Sequence, residues 1–365
     1  MTPRRGESRE SFQKRRTTAQ TTPGERERHR TPAADPADVT KMERELAKLR
    51  DEIATRDARD REAELAASMR FDPLVIGRKT HTPGSPGMPM TLWSDWHWGE
   101  TVDRRETGGL NEFNREVAEK RVANLVNHTI MLLRDYAGTR PDYPGIYVLL
   151  GGDMVSGLIH DELVETNWGN IAEQAMEVSA AIAGGIDALA EEFGHVWITG
   201  VVGNHGRTTA KPRAKGRVRD SYDRAVYKSV QKYFAGVDWV DVQIPDETDV
   251  LIDVYGHRFL LTHGDSLGVK GGDGIIGALG PIARGAVKLR NSEGQVGRDF
   301  DTLVMGHWHQ YIPRGDGLGV IVNGTLKGYD EYARLFLRAR FSRPSQALWL
   351  VSPKYGVAAQ WAVYV

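Results

Sequence analysis

LWSDWHWG, residues 92–99, decides how this chain is read. A short apolar run ends at Trp93 and hands over to Asp95 and His97, two residues apart. Side chains at i and i+2 share one face of an extended segment, so both can aim at one point. Four later stretches repeat the design. VLLGGDMVSG (148–157) places Asp153 behind two glycines, and ITGVVGNHGR (198–207) delivers Asn204 and His205. FLLTHGD (259–265) delivers His263, and LVMGHWHQ (303–310) delivers His307 and His309. Asp-x-His or Gly-Gly-Asp taken alone is ordinary turn chemistry. Five apolar runs that each end in nitrogen or oxygen ligands are not, because the ends of strands are where α/β sheets bind ligands.

Outward from these stretches, short apolar runs alternate with helical periodicity. Strands are expected at Met90–Ser94, Ile146–Gly151, Val196–Val202, Trp239–Val242, Arg258–Thr262, Thr302–Met305, Gly319–Val322 and Ala347–Val351. Apolar residues at 3–4 spacing predict helices at Arg115–Tyr136, Ile171–Phe193 and Asp220–Phe234. The alternation points to an α/β class. The catalytic domain is expected to span 71–365, behind the Pro/Gly stretch HTPGSPGMP (81–89). Residues 1–36 are basic and nearly devoid of aliphatic side chains, so they cannot offset their ordering entropy and read as a disordered tail. Residues 37–70 read as one charged helix. Met42, Leu46, Leu49 and Ile53 form a two-heptad seam there, which suits either a solvated single helix or homo-oligomerisation through 41–55.

Composition closes off other classes. The 365 residues contain no cysteine, so disulfides, thiolate metal sites and cysteine nucleophiles are excluded and any metal must sit on His, Asp, Glu or Asn. No apolar run reaches the roughly 18 residues of a membrane span. The charged N-terminus has no apolar stretch behind it and does not read as a secretory signal, so a cytoplasmic location is expected. Lys and Arg (48) balance Asp and Glu (49), which leaves partner choice to local charge.

The blocks D-W-H, G-D-M-V-S, G-N-H-G, H and G-H-W-H, in this order, resemble the signature of the calcineurin-like metallophosphoesterase family. The likeness extends from about Thr91 to Val365. It implies a double β-sandwich flanked by helices, with a two-metal site at one edge. By that likeness Asp95, His97 and His309 would hold one metal, Asp153 would bridge, and Asn204, His263 and His307 would hold the other. His205 would be the proton donor or transition-state stabiliser. Manganese is the expected ion, with iron, zinc or magnesium compatible with the same nitrogen and oxygen ligands. Two such ions activate a water and hold phosphoryl oxygens for in-line attack. The chain departs from the pattern twice. Ser156 stands where Asp or Asn is common, and Gly206 stands where an acid usually follows the catalytic histidine and orients it.

GRTTAKPRAKGRVRD (206–220) begins at the turn that delivers Asn204 and His205 and is strongly basic. Arg207, Lys211, Arg213, Lys215 and Arg217 are therefore candidate phosphate contacts, as nucleic acid would require. A second basic, Gly-rich stretch after His263, with Ile275, Ile276, Leu279 and Ile282, suggests a short packed helix walling the cleft. Trp93, Trp96, Trp98, Trp168 and Trp308 crowd the ligand turns; packing is expected ahead of base stacking. Tyr329 and Tyr332 are also expected to pack. The texture resembles phage and prophage metallophosphoesterases of nuclease style, which implies a phosphodiesterase acting on DNA or RNA. A phosphomonoesterase or small-nucleotide hydrolase on the same site is the alternative, and a non-catalytic scaffold is the alternative from another class. The sequence names no partner ATPase.

Overall fold

A computed structural model of the chain describes residues 44, 45, 47–53, 56, 85–135, 141–267, 278–314 and 318–365. The chain divides into two compact units, 1–69 and 70–365. Of the first unit, the described residues are helical, with Leu49 and Ile53 exposed. The 1–36 tail, Met42, Leu46, Lys270, Ile275 and Ile276 lie outside the described residues.

The second unit is built on two mixed sheets. The first runs β11-β10-β1-β2-β3-β4. Its strands are β1 (Met88–Trp93), β2 (Ile146–Leu150), β3 (Val196–Gly200), β4 (Val240–Gln243), β10 (Ser345–Ser352) and β11 (Gly356–Tyr364). The second runs β5-β6-β7-β9-β8, from β5 (Val250–Val254), β6 (His257–Thr262), β7 (Thr302–Met305), β8 (Ile312–Arg314) and β9 (Gly319–Val322). Strands β1 to β4 are parallel, as are β6, β7 and β9.

Alternation along the strands sorts side chains into three cores. Tyr147 and Leu149 of β2 join Met90, Trp349, Phe259, Leu261, Val304 and Ile321 between the sheets. Ile146, Val148 and Leu150 face the other way, onto α1 (Arg115–Arg134), α3 (Ile171–Phe193) and α4 (Tyr222–Tyr233). Leu260, Leu303, Met305 and Val322 cover the outer face of the second sheet with Ile282 and Ala286 of α5 (Leu279–Gln295). The result is the double sandwich flanked by helices that the sequence led us to expect. Strands covered on both faces read as continuous apolar runs, which is why IYVLL and TLVM carry no polar alternation.

Local chemistry sets the helix ends. Asn114 caps α1 through Val117 N–H. Asn170 and Glu173 form a reciprocal capping box on α3, which stops at Gly194 in a left-handed turn (φ 76°). Two short helices, α2 (Asp161–Thr166) and α6 (Glu331–Leu335), were not expected, and neither were β5, β8 and β11. Trp93, Trp96 and Trp98 are buried in the helix-side core, with Trp168 packed against it and Trp308 against the outer core, so all five pack. Tyr329 is buried, but Tyr332 is exposed against expectation, because it lies on the solvent side of the one-and-a-half-turn α6.

Candidate metal centre

Register brings the ligand turns to one level. Trp93 pairs with Leu150 and Leu150 with Gly200, so the segments carrying Asp95, Asp153 and Asn204 leave the first sheet together. Thr262 pairs with Met305 and Met305 with Val322, so His263 and His307 leave the second sheet together. Backbone bonds lace the turns: Asp95 N–H to Gly152 (3.0 Å), His97 N–H to Asp153 (3.1 Å) and Gly306 N–H to His263 (3.0 Å).

Among the described residues seven non-glycine positions have left-handed φ, and five are Asp95 (56°), His97 (49°), Asp153 (53°), His307 (67°) and His309 (52°). Each such position costs of order 1–3 kcal/mol and persists only where the surroundings over-determine it. Three glycines directly precede ligands, and each has a steric reason: a Cβ on Gly152 would lie 2.3 Å from the Gly203 nitrogen. A Cβ on Gly203 would lie 2.1 Å from Asp153 Oδ1, and one on Gly306 would lie 2.2 Å from Asp95 Oδ2.

The structure gathers all seven expected ligand residues. Asp95, His97 and His309 form one group whose ligand atoms lie within 4.8 Å of one another, and Asp153, His263 and His307 form a second. Asp153 also falls in a third group with His97 and His205, so its carboxylate is common to both sides. Nε2 of His263 is 3.1 Å from Asp153 Oδ2 and 3.1 Å from Asn204 Oδ1, which brings Asn204 into the second group. Nε2 of His97 and His309 are 3.0 Å apart, and His309 Nε2 is 3.3 Å from Asp95 Oδ1. The carboxylates are themselves fixed. Asp95 Oδ1 accepts from His307 N–H (2.9 Å) and Oδ2 from Ser94 Oγ (2.5 Å), while Asp153 Oδ1 accepts from His205 N–H (2.6 Å).

These residues fit divalent ions. Nδ1 of His263 is 2.8 Å from the Gly151 carbonyl and serves as the donor there, so its Nε2 faces two oxygens. In a neutral ring that would set lone pair against lone pair; only a cation between them resolves it. In the metal-free chain the cation is a proton. Burial pushes the His263 imidazole down, yet the Asp153 charge and hydrogen bond outweigh it and raise it to about 10. Burial alone would push the Asp153 carboxyl up, but His263, then His205, bring it well below its usual range. His97 lies well below 6.5 through burial and then the Lys327 charge, and His307 drops to about 4 through burial and then His263. Neutral imidazoles at His97 and His307 suit a divalent ion, and its binding would displace the proton held by His263.

His205 stands with its ring centroid 4.4 Å from that of His97. Its Nδ1 is 2.8 Å from the Ser156 carbonyl, which accepts the N–H and leaves Nε2 towards the site. The backbone of Ser156 thus does the orienting that an acid after the histidine would do. Burial pushes the ring down to about 4, with Asp153 opposing. The space at Gly206 is used otherwise: a Cβ there would press within 2.9 Å of the Asp223 carboxyl carbon.

Asp223, in the first turn of α4, was not foreseen. Its Oδ2 accepts from Asp153 N–H (3.0 Å) and Gly203 N–H (2.8 Å), and its Oδ1 from Met154 N–H (3.0 Å). One buried carboxylate therefore ties two ligand turns together. Burial, then the Asp153 charge, raise it to about 6 against the pull of those N–H groups. In sequence it is one acid near the start of the helix expected at Asp220–Phe234, with no sign of a tertiary role. His160, exposed at the start of α2 with its ring 5.8 Å from that of His205, was also missed.

The basic loop divides. Arg207 is bonded to the carbonyls of Thr209, Asn204 and Ala210. Arg217 grips Asp265 through two bonds of 2.8 Å. Both hold the loop. Lys211, Arg213 and Lys215 are exposed. With Asn204, Arg207 and Arg217, Arg213 and Lys215 line a shallow open hollow.

No family model matches the chain, and no curated protein is similar to it in sequence. Solved structures do match. A phosphopantetheinyl hydrolase from Mycobacterium tuberculosis is 14% identical over 69% of this chain and 94% of its own, with a TM-score of 0.28. A putative 5'-nucleotidase from Staphylococcus aureus is 11% identical over 76% of this chain and 55% of its own, with a TM-score of 0.30.

Proposed function

We propose that the chain is a two-metal phosphoesterase that hydrolyses phosphodiesters of nucleic acid. The observation that carries the metal reading is the Asp153 carboxylate, common to two clusters of nitrogen and oxygen ligands drawn from both sheets. Asp95, His97 and His309 would hold one ion, Asn204, His263 and His307 the other, with Asp153 between them. Manganese suits this set, as do iron, zinc and magnesium. Such ions supply Lewis acidity to phosphoryl oxygens and lower the pKa of a bound water.

The chain's own residues do the rest. Ser156 fixes the His205 tautomer through Nδ1, so Nε2 is the atom that meets the leaving oxygen. Burial keeps the ring neutral near pH 7, and the negative charge of an arriving phosphate favours the protonated form that can donate. Lys211, Arg213 and Lys215 sit on the loop that leaves the Asn204 turn, placed to grip neighbouring phosphates. On the far side, the Ser342 hydroxyl lies 3.5 Å from the His309 carbonyl. In the same segment, exposed Phe336 and Phe341 stand among exposed Arg338, Arg340 and Arg343. Aromatic faces between arginines suit unpaired bases and their phosphates.

A second reading has one observation in its favour. With Arg207 and Arg217 tied to the protein and Arg219 paired with Asp220, Lys211, Arg213 and Lys215 are the exposed cations left on the loop, enough for a small nucleotide. The experiment is Mn²⁺-dependent cleavage of labelled single- and double-stranded DNA and RNA beside bis-p-nitrophenyl phosphate, using wild type, Asp153→Asn and a Lys211/Arg213/Lys215→Gln triple variant. A nuclease cuts the polymers only with intact Asp153, and the triple variant loses polymer cleavage and about two to three units of its log–log salt slope while keeping the small diester. Equal loss on both substrates refutes the nucleic-acid reading. Metal bound with no hydrolysis of any substrate favours a scaffold.

A further inference from the structure

Behind the first ligand group lies a buried ionic chain that the reaction above does not use. Nδ1 of His97 is buried and has no hydrogen-bond partner, and neither has Oε2 of Glu100. The two orphans face each other at 3.5 Å. Glu100 Oε1 accepts from Lys327 Nζ at 2.6 Å, and Lys327 also pairs with Asp330 Oδ2 at 2.5 Å. The lysine is positioned from its own backbone: the Arg121 guanidinium donates to the Lys327 carbonyl (2.6 Å) and the Leu326 carbonyl (2.7 Å). Asp330 is fixed in turn as the cap of α6, accepting from Ala333 N–H at 2.7 Å.

Such a chain is a poor stability device. Desolvating three ionisable groups costs several kcal/mol per ion, and apolar replacements of similar volume are often neutral or better. Its placement suggests another use. We propose that Glu100 is the positioning residue of His97: it accepts the Nδ1–H, so that Nε2 presents its lone pair to the metal beside Asp95 and His309. The inference rests on His97 being a metal ligand. A carboxylate behind a ligating histidine fixes its tautomer and raises its basicity. Lys327 supplies the counter-charge that a buried Glu100 needs. Burial pushes the Glu100 carboxyl up, and Lys327 opposes it. A glutamate has acceptors for both Lys327 and His97. A glutamine at the same place has one carbonyl oxygen, so one of the two donors is left facing an NH₂ group.

The test is Mn²⁺ titration calorimetry on the metal-free full chain. His309→Ala marks the step belonging to the Asp95 side, and His307→Ala marks the other. Glu100→Gln is expected to weaken the His309-dependent step roughly 10–100-fold and to leave the His307-dependent step unchanged within error. Thermal unfolding of the metal-free variant should stay cooperative. An unchanged His309-dependent step overturns the inference, as does an equal fall in both steps, which would mark Glu100 as merely structural. Should Glu100→Gln fail to fold, a crystal structure of the Mn²⁺-loaded wild type decides: His97 Nδ1 within hydrogen-bond distance of Glu100 supports the inference, and any other partner for Nδ1 overturns it. A wild type that binds no Mn²⁺ removes the metal reading itself, which is a different failure.

Discussion

Asp223→Ala removes a carboxylate that accepts three backbone N–H groups, from Asp153, Met154 and Gly203, over 2.8–3.0 Å. Hydrogen bonds to a charged group contribute roughly 1.5–3 kcal/mol each, so the three are worth about 4.5–9 kcal/mol gross. Burial and the Asp153 charge still hold its pKa up at about 6 against the pull of those bonds, so part of that worth is already offset in the ionised carboxylate. With the three N–H groups left unpaired, the loss for alanine is about 2–6 kcal/mol. Asp223→Asn behaves differently. Its oxygen can still serve Asp153 and Gly203 while the amide faces Met154 N–H, and the ionisation cost disappears, so its net loss is about 0–2 kcal/mol. Urea unfolding of the EDTA-treated chain, followed by tryptophan fluorescence, measures both. Alanine should lower the midpoint clearly with an unchanged slope, and asparagine should fall between alanine and wild type. Alanine within about 0.5 kcal/mol of wild type, or asparagine worse than alanine, refutes this accounting.

Gly306→Ala places a Cβ 2.2 Å from Asp95 Oδ2 and 2.5 Å from Ser94 Oγ; it should weaken Mn²⁺ binding at least tenfold by calorimetry, and unaltered binding would contradict the crowding. His205→Gln should lower kcat about 10²–10⁴-fold with two Mn²⁺ still bound; a drop to one bound ion by metal analysis would make His205 a ligand rather than a donor. His257, half-buried far from the ligand turns, has its pKa lowered by burial, with Asp301 and Asp253 opposing. Below about pH 6.5 the unfolded chain therefore takes up a proton that the folded chain resists, and stability falls as pH drops through the folded pKa. His257→Gln should flatten that part of the stability profile in urea titrations between pH 7 and 4, and an identical slope in both proteins would refute it.

Much of the fold was legible because it is written in strand interiors. IYVLL is apolar throughout and TLVM is so after its first residue, since both their faces are covered, and helix α3 shows apolar residues at 3–4 spacing along its length. The elements that escaped are edge or short ones. β11 is half-exposed along most of its length, so GVAAQWAVY shows neither a clean alternation nor a buried run. β8 has three residues and α6 five, too few for any periodicity. In the site, residue type plus position after a strand was enough to find the groups brought together here. What the sequence hid were partners whose roles depend on distant chain. Asp223 acts across 70 residues on Asp153, Lys327 across 227 on Glu100, and Ser156 contributes a carbonyl that any residue would have. Arg217 was read by its charge, but Asp265, 48 residues away, decides where that charge goes.

The turns that carry Asp95, Asp153 and Asn204 belong to one sheet, and those that carry His263, His307 and His309 to the other. A pair of ions held by all of them would rivet the two layers at a single edge, in a chain that has no cysteine to do so. The protein's mechanical integrity and its chemistry would then answer to the same free-metal concentration. At a thousandfold excess over the dissociation constant, one bound ion adds about 4.1 kcal/mol to the folded state. Chelation would loosen the seam between the layers at the edge where substrate must enter, so starvation for metal would be felt as softening of the whole body as well as silence of the site.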